Sequence, residues 1–451
     1  MSNSISQRFT FSSLIKFTIP SISMLVFMSL YCIIDGVFVS RFVNTDALSS
    51  VNIVYPYVNV VFAVGIMLGC GSSAVIAKKL GENKSEEARE NFTLIIITGL
   101  VIGLVISLLG YVFRDSILSF LGASDDLYAY CIDYLIGCIL FVPAYIISSI
   151  FQFLTITAGK PKVGLIATLI GGCSNILFDY IFIVVFKWGI MGAALATGLG
   201  VFIPSIIGII YFSKKRSDLY FVRPKFDFGV IAKSCSNGSS EMVSNLASGV
   251  TTILFNVVMM KLLGSDGVAA ITIVLYGNFL INSTYLGFSS GVAPIISYNY
   301  GNKNQEELQR VVGYSIKFIG ISSIVLFFVA VIFTPSIVSV FADPGTNVYE
   351  LAKRGFLLYS TSFLFNGMNI FASAKFTAFS NGRVSARISI IRTFILKVIS
   401  IILLAKLIGV DGVWIATTVG EALTLLITVS YMLKYRDIYG YGKKKLSHEQ
   451  I

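Results

Sequence analysis

From Leu14 to about residue 433 the chain runs through one long apolar stretch after another, separated by short polar segments. This repetition leaves few folds open. A helix needs about 20 apolar residues to cross a bilayer, and the first stretch, LIKFTIPSISMLVFMSLYCIIDGVFVS (Leu14 to Ser40), exceeds that. Twelve spans are read, at about 14–40, 48–77, 92–113, 128–157, 163–186, 190–213, 229–260, 268–299, 311–333, 352–378, 385–405 and 412–433. Outer-membrane barrels alternate apolar and polar residues over strands of about 10 residues; these runs are too long and too uniformly apolar for that. Only 13% of residues are charged and mean hydropathy is +0.83, whereas soluble domains run near 25% charged. The expectation is an all-α polytopic membrane protein. The first apolar run is too long for a signal-peptide core and lacks a small-x-small cleavage site, so it is expected to remain as the first span.

The net charge of +11 raises the question of nucleic acid, but its distribution answers as membrane topology. With the N-terminus placed inside, the inner segments hold 23 Lys and Arg residues and the outer segments seven, with four within spans. By the positive-inside rule both termini are cytoplasmic, in a multi-pass protein of the plasma membrane. Cys32, Cys70, Cys131, Cys138, Cys173 and Cys235 lie mostly inside spans without CxxC spacing. They read as small packing residues rather than as disulfides or a metal site. His448 is the only histidine, which removes a His base or His-ligated zinc from the membrane interior.

An internal repeat organises the spans. VNTDALSSVNIV from Val43 aligns without gaps on LGSDGVAAITIV from Leu263, and at the same offset of 220 Gly81 meets Gly301, Gly192 meets Gly412, and Ala196-Thr197 meets Ala416-Thr417. Repeats of six spans keep their orientation, which relates the halves by an axis along the membrane normal. The expected fold is therefore twelve transmembrane helices in two pseudo-symmetric six-helix bundles. An N-terminal bundle (1–213) and a cytoplasmic basic linker (214–227) precede a C-terminal bundle with a short cytoplasmic tail (228–451).

Four acids lie well inside spans: Asp35, Asp179, Glu241 and Glu421. A charged residue at a helix centre costs roughly 2.5–3.5 kcal/mol on insertion scales, so it normally faces a partner or a polar path. Asn175 and Asp179 are four apart and share a helix face, and Thr197 is a hydroxyl among small residues. Two carboxylates, an amide and a hydroxyl suit a shared proton or Na⁺, a hard cation that favours oxygen. The plainer alternatives are that Asp35 reaches the outer interface beside Arg41 and Asn44, and that Asn175 and Asp179 make local polar contacts. Glu241 lies inward of the basic linker and faces either a central cleft or neighbouring serines. Lys375, Arg392 and Lys397 are candidates to pair with the second-half acids. Pro20, Pro56, Pro143, Pro204 and Pro294 interrupt five spans as hinges or static kinks. Pro20, on the helix of Asp35, is the candidate hinge.

Twelve spans in two similar halves, with Asp35, the Asn175-x-x-x-Asp179 pair and Thr197 in the first, resemble the multidrug and toxic compound extrusion (MATE) transporters of prokaryotes. The resemblance runs from about Phe11 to Arg436 and includes LGCGSSAVIAKKLGENK from Leu68. It implies that Asp35, Asn175, Asp179 and Thr197 form a cation-coupling site for H⁺ or Na⁺, the latter bound as a metal by the same four residues. Tyr134 falls where a tyrosine joins that network, and Pro20 where the first helix of some members bends. Glu241 matches an acid of the norfloxacin-exporter type and becomes a candidate for substrate or a second proton; the tenth-span aspartate of that type is replaced by Lys375. The implied activity is secondary antiport by alternating access, exporting amphipathic, small organic drug-like cations in exchange for H⁺ or Na⁺. The protein is expected to act as a monomer in the lipid bilayer, with no cofactor beyond the coupling ion and no nucleic acid partner. No GxxxxGK[ST] motif occurs, and no enzyme nucleophile or selectivity filter is evident. The rival is a flippase of lipid-linked precursors on the same superfamily fold, for which Lys375, Arg392 and Lys397 would supply a cationic groove.

Overall fold

The computed structural model describes residues 5–43, 45–215 and 217–442. Among them every regular element is helical: α1 (Phe11–Phe42), α2 (Thr45–Gly81), α3 (Ser85–Val112), α4 (Arg114–Phe120), α5 (Asp125–Leu140), α6 (Val142–Thr157), α7 (Pro161–Asp179), α8 (Gly189–Phe212), α9 (Phe228–Gly301), α10 (Gln305–Ser339), α11 (Asn347–Ser360), α12 (Phe363–Ala378), α13 (Gly382–Ile390) and α14 (Lys397–Lys434). Two π-helical turns, Tyr180–Val185 and Ile391–Leu396, follow α7 and α13. Helices are what hydrocarbon demands, because each segment must satisfy its own backbone polar groups.

Divided at two glycines, these helices make twelve crossings. Gly264 (φ 67°) breaks α9 and Gly409 (φ 65°) breaks α14, a left-handed conformation that glycine adopts without a side-chain clash. The fourth crossing is α5 and α6, bent by 53°; the tenth is α11 and α12, parted at Thr361 and Ser362. Pro143 alone of the five lies at a break, in the first turn of α6. Pro20, Pro56, Pro204 and Pro294 sit inside helices that run on past them, as membrane helices allow where neighbours satisfy the freed backbone group. Two helix starts outside the apolar zone are capped by side chains: Asp227 accepts from Gly229 N at 2.8 Å, and Asn304 accepts from Glu307 N at 3.1 Å.

Helices α1 and α2 meet the two arms of α9 along a seam of small residues. A Cβ on Gly71 would stand 1.8 Å from Ser234 O, and one on Gly238 1.9 Å from Met67 O. Farther along, a Cβ on Gly81 would lie 2.0 Å from Tyr298 O, and one on Gly301 2.3 Å from Lys78 O. The last two contacts are reciprocal: 78 pairs with 301 and 298 with 81, so the sequence offset of 220 reappears as a two-fold relation in space. Gly287 and Gly291 make the equivalent approach to Ile22 and Thr18. The turns after α2 and α9 match too, with Asn83 at φ 60° and Lys303 at φ 54°.

The polar segments at this end of the molecule are docked. Phe9 N donates to Glu307 Oε1 at 2.7 Å, and Arg310 pairs with Glu307. The linker rests on α3: Arg89 Nε donates to Asp218 O (2.8 Å) with its guanidinium over Tyr220, and Leu219 is fully buried. Between α2 and α3, Lys79 hydrogen-bonds Glu87. This contact holds the Glu87 carboxyl below its ordinary value and the Lys79 ammonium above its own.

Candidate functional site

Small residues bring α1, α7 and α8 together around the first-half acids. Gly171 of α7 abuts Gly200 O and Pro204 of α8, Gly172 meets the Phe27 and Tyr31 rings of α1, and Gly200 leaves room for the Asn175 Cβ. Close approach of this kind is what glycine and alanine permit between membrane helices. It brings together the four residues singled out from sequence. Asp35 faces Asp179, Asn175 and Thr197, and Thr197 Oγ1 lies 3.4 Å from Asp35 Oδ1 and 2.9 Å from Ala193 O. Tyr134 of α5 is buried beside Cys138 and within electrostatic reach of Asp35. The side chain of Arg41, and all of Asn44, lie outside the described residues.

Asn175 is 1% exposed and Asp179 0%. Apart from their approach to the Asp35 carboxylate, the amide oxygen and nitrogen of Asn175 and both carboxylate oxygens of Asp179 have no well-formed hydrogen bond among the described residues. Leaving buried polar groups unpaired is expensive, and here four such atoms cluster beside a second carboxylate. Their donor set is two carboxylates, an amide carbonyl and a hydroxyl, all oxygen, which fits a hard monovalent cation as well as a shared proton. Asp179 is also the last residue before the π-helical turn Tyr180–Val185, a widening often found where a helix carries a site. No sequence signal foretold that turn.

The second half is arranged differently. Arg392, in the π-helical turn Ile391–Leu396, binds Glu421 of α14 through Nε, at 2.9 Å from Oε1 and 3.1 Å from Oε2. Asn369 donates to Glu421 Oε2 at 2.8 Å and to its backbone carbonyl at 2.9 Å. Asn366, with its amide turned to donate, lies 2.6 and 3.1 Å from the two carboxylate oxygens. Sequence reading missed both asparagines, since nothing in their spacing ties α12 to α14. Lys397 lies within electrostatic reach of Glu421 and Arg392. Among the described residues Lys375 pairs with no acid: its Nζ is buried and sits 4.1 Å from the Tyr441 ring centroid. Glu241, on the first arm of α9, lies within electrostatic reach of Arg392 and of Cys70 in α2.

With this geometry in place, comparison with known proteins is informative. The MatE family profile matches two stretches of equal length, residues 20–181 and 242–403. The multidrug export protein MepA of Staphylococcus haemolyticus (strain JCSC1435) is 28% identical over 440 residues, covering 93% of each chain. MepA of Staphylococcus aureus (strain MRSA252) is 25% identical over 442 residues, covering 95% of this chain and 94% of that one. Among solved structures, a MATE protein crystallised in complex with MaL6 superposes with a TM-score of 0.92 at 20% identity, covering 98% of this chain and 100% of that one. That likeness is one of fold.

Proposed function

The chain belongs to the MatE family of multi-pass membrane transporters, and we propose that it exports amphipathic organic compounds in exchange for H⁺ or Na⁺ bound at Asp35, Asn175, Asp179 and Thr197, with Tyr134 beside them. The observation that carries this reading is the set of four orphaned buried polar atoms on Asn175 and Asp179, facing Asp35. Two facing carboxylates repel when both are charged. A proton or Na⁺ between them relieves that repulsion and draws α1 toward α7. Asp35, Asp179, the Asn175 carbonyl and the Thr197 hydroxyl would hold Na⁺, which supplies charge neutralisation there; a proton needs only the two acids.

In this cycle residues 1–213 and 228–451 act as two bundles joined by the 214–227 linker. Both termini and the linker lie on the cytoplasmic side of the plasma membrane, where the glycine seam closes the protein. Ion binding from outside changes the packing of α1, with Pro20 as its hinge, and favours release of drug outward. The seam then parts, the ion leaves inward, and drug enters from the cytoplasm. Drug and ion exchange because each favours a different arrangement of the same helices. The drugs are cationic in part, the transporter acts as a monomer, and no cofactor is needed beyond the ion. A lipid-pyrophosphate flippase needs several cations open to one groove, whereas Lys375 lies beneath Tyr441 and Arg392 is engaged by Glu421; drug export is favoured.

The test is ethidium efflux from vesicles with pH and Na⁺ gradients imposed separately, for wild type and Asp35→Asn. Gradient-driven efflux that the variant loses supports the site and names the ion. Undiminished efflux in the variant moves coupling to Glu241, and no efflux under any gradient returns the flippase reading.

A further inference from the structure

Helix α1 is held by both halves of the molecule. Its outer part carries Asp35, which faces Asn175 and Asp179 of α7 and Thr197 of α8. Its cytoplasmic end is fastened instead to α10, in the second half. Phe9 N donates to Glu307 Oε1 at 2.7 Å, and Arg310 Nη1 donates to Glu307 Oε2 at 2.6 Å, so both carboxylate oxygens are engaged. Glu307, Ile5 and Phe9 are all buried. Arg8 pairs with Glu306 at 3.3 Å. The Phe11 ring packs edge-on against Tyr314 at 5.7 Å, with the Lys317 ammonium 5.4 Å from its centroid. A segment ahead of a first helix frays unless it is tied down, and this one is tied to the opposite half.

The exposed Arg8–Glu306 pair contributes little. The bond to Glu307 is of another kind, a charge-assisted hydrogen bond from a backbone N–H to a buried carboxylate, and losing it leaves both groups unanswered away from water. From this anchor α1 runs along the second arm of α9, with Thr18 against Gly291, Ile22 against Gly287 and the Ser29 hydroxyl on that of Ser283. From Phe11 to Asp35 the helix advances 24 residues, about 36 Å at 1.5 Å per residue. It thus joins an anchor in one half to a carboxylate in the other, with Pro20 between them.

The second copy of the repeat lacks this anchor. At the offset of 220 Glu307 aligns with Glu87, but Glu87 is half-exposed and binds Lys79 of its own half. The linker reaches α3 through other groups, Arg89 Nε to Asp218 O and Val222 N to Thr93 Oγ1 at 3.1 Å. Five residues, 223–227, then separate Val222 from α9, whereas Thr10 alone separates Phe9 from α1. The linker has slack where the N-terminal segment has none.

We propose that Glu307 is a positioning residue for ion-coupled transport: by holding Phe9 it fixes the cytoplasmic end of α1 to the second half, so that displacement of the outer part of α1 by an ion at Asp35 is transmitted to that half. The proposal rests on the reading that the ion binds between Asp35 and Asp179. Glu307 touches neither ion nor drug. It acts through α1, and Arg310 holds its carboxylate in place. Without the anchor the outer part of α1 still responds to the ion, but its other end slips instead of carrying the second half with it.

The test uses full-length protein in lipid nanodiscs, with the native cysteines replaced and spin labels attached through Lys162→Cys and Arg383→Cys, exposed positions at the starts of α7 and α13. Distances are recorded without added Na⁺, with Na⁺ at fixed pH, and over a pH series at fixed Na⁺. Ion binding is followed separately, as the ion-dependent rise in thermal midpoint. Glu307→Ala removes the acceptor. It is expected to enlarge the long-distance population before ion is added and to shrink the ion-dependent change in distance at least about threefold, while the half-saturating ion concentration stays within about twofold. Glu307→Gln keeps a carbonyl oxygen for Phe9 N and should retain most of the response. Phe9→Ala unseats the segment but leaves Glu307 intact, so it should act in the same direction as Glu307→Ala and carries the test if that variant does not fold. Distances in both alanine variants that match wild type, with and without ion, overturn the anchor. Ion binding lost together with the distance response makes Glu307 a structural residue and overturns it too, as does a Glu307→Gln variant that fails as fully as Glu307→Ala. The two readings fail separately. A wild type that binds neither ion defeats the coupling site, and transmission with it; a wild type and variants that respond alike to the ion defeat the anchor alone.

Discussion

Asp179 lies at 0% exposure with both carboxylate oxygens unpaired, so its charge state decides whether the surrounding packing is comfortable. Asparagine has nearly the shape of the neutral acid. Asp179→Asn is therefore expected to fold normally, with a thermal midpoint in detergent at or above that of wild type, while gradient-driven efflux falls at least about tenfold, the equivalent of roughly 1.4 kcal/mol of coupling. A midpoint that drops by many degrees would instead make Asp179 a structural residue. Thr197→Val tests the weaker member. It removes one hydroxyl at 3.4 Å from Asp35, a neutral contact worth about 1 kcal/mol, and should raise the ion concentration for half-maximal efflux about fivefold without abolishing transport. At this scale the sequence was most readable where side chains sit one turn apart: Asn175 and Asp179 share a face by spacing alone. Asn366 and Asn369 gave no such signal, because their partners come from other helices and their surroundings exist only after folding.

Between helices, glycine sets how closely α2 and α9 cross. A methyl at Gly81 would meet Tyr298 O at 2.0 Å, and backbone cannot yield as a rotamer does. Gly81→Ala, or its mate Gly301→Ala, is expected to destabilise the closed seam by about 1–3 kcal/mol, the usual cost of overpacking. The readout is the distance between spin labels placed on the starts of α3 and α10: a longer-distance population should grow in the variant. An unchanged distribution would mean that the seam does not hold the halves together. The neighbouring turn makes a smaller pH prediction. Glu87 is held below its ordinary value by Lys79, so its contribution is present above the unfolded carboxylate value of about 4.3 and lost as pH falls through the lower folded value. Hydrogen exchange at residues 82–88 should rise over that acidic window and become flat in Glu87→Gln; the half-exposed pair keeps the effect small. The helices themselves were legible because an apolar run of membrane length has little alternative. Their irregularities were not: breaks fell at Gly264, Gly409 and Thr361–Ser362 rather than at four of the five prolines, and neither π-helical turn has a compositional mark.

For the whole molecule, the repeat offset that aligns Gly81 with Gly301 in sequence reappears as crossed contacts in space, and the proposed cycle has the halves rock about the axis that relates them. Alternating access then requires that contacts across the seam break in every cycle. The Ser29 and Ser283 hydroxyls touch across α1 and the second arm of α9, close enough for a disulfide if both become cysteine. In a background with the native cysteines replaced, Ser29→Cys, Ser283→Cys is expected to transport normally when reduced and to stop when oxidised, with full recovery on adding reductant. Each single variant should be indifferent to oxidant. Drug binding offered from the face opposite the seam should survive oxidation, because the lock holds the arrangement described here rather than distorting it. Continued efflux in a fully cross-linked sample would mean that α1 and α9 stay together throughout transport, and that the moving boundary lies inside one half rather than between the two.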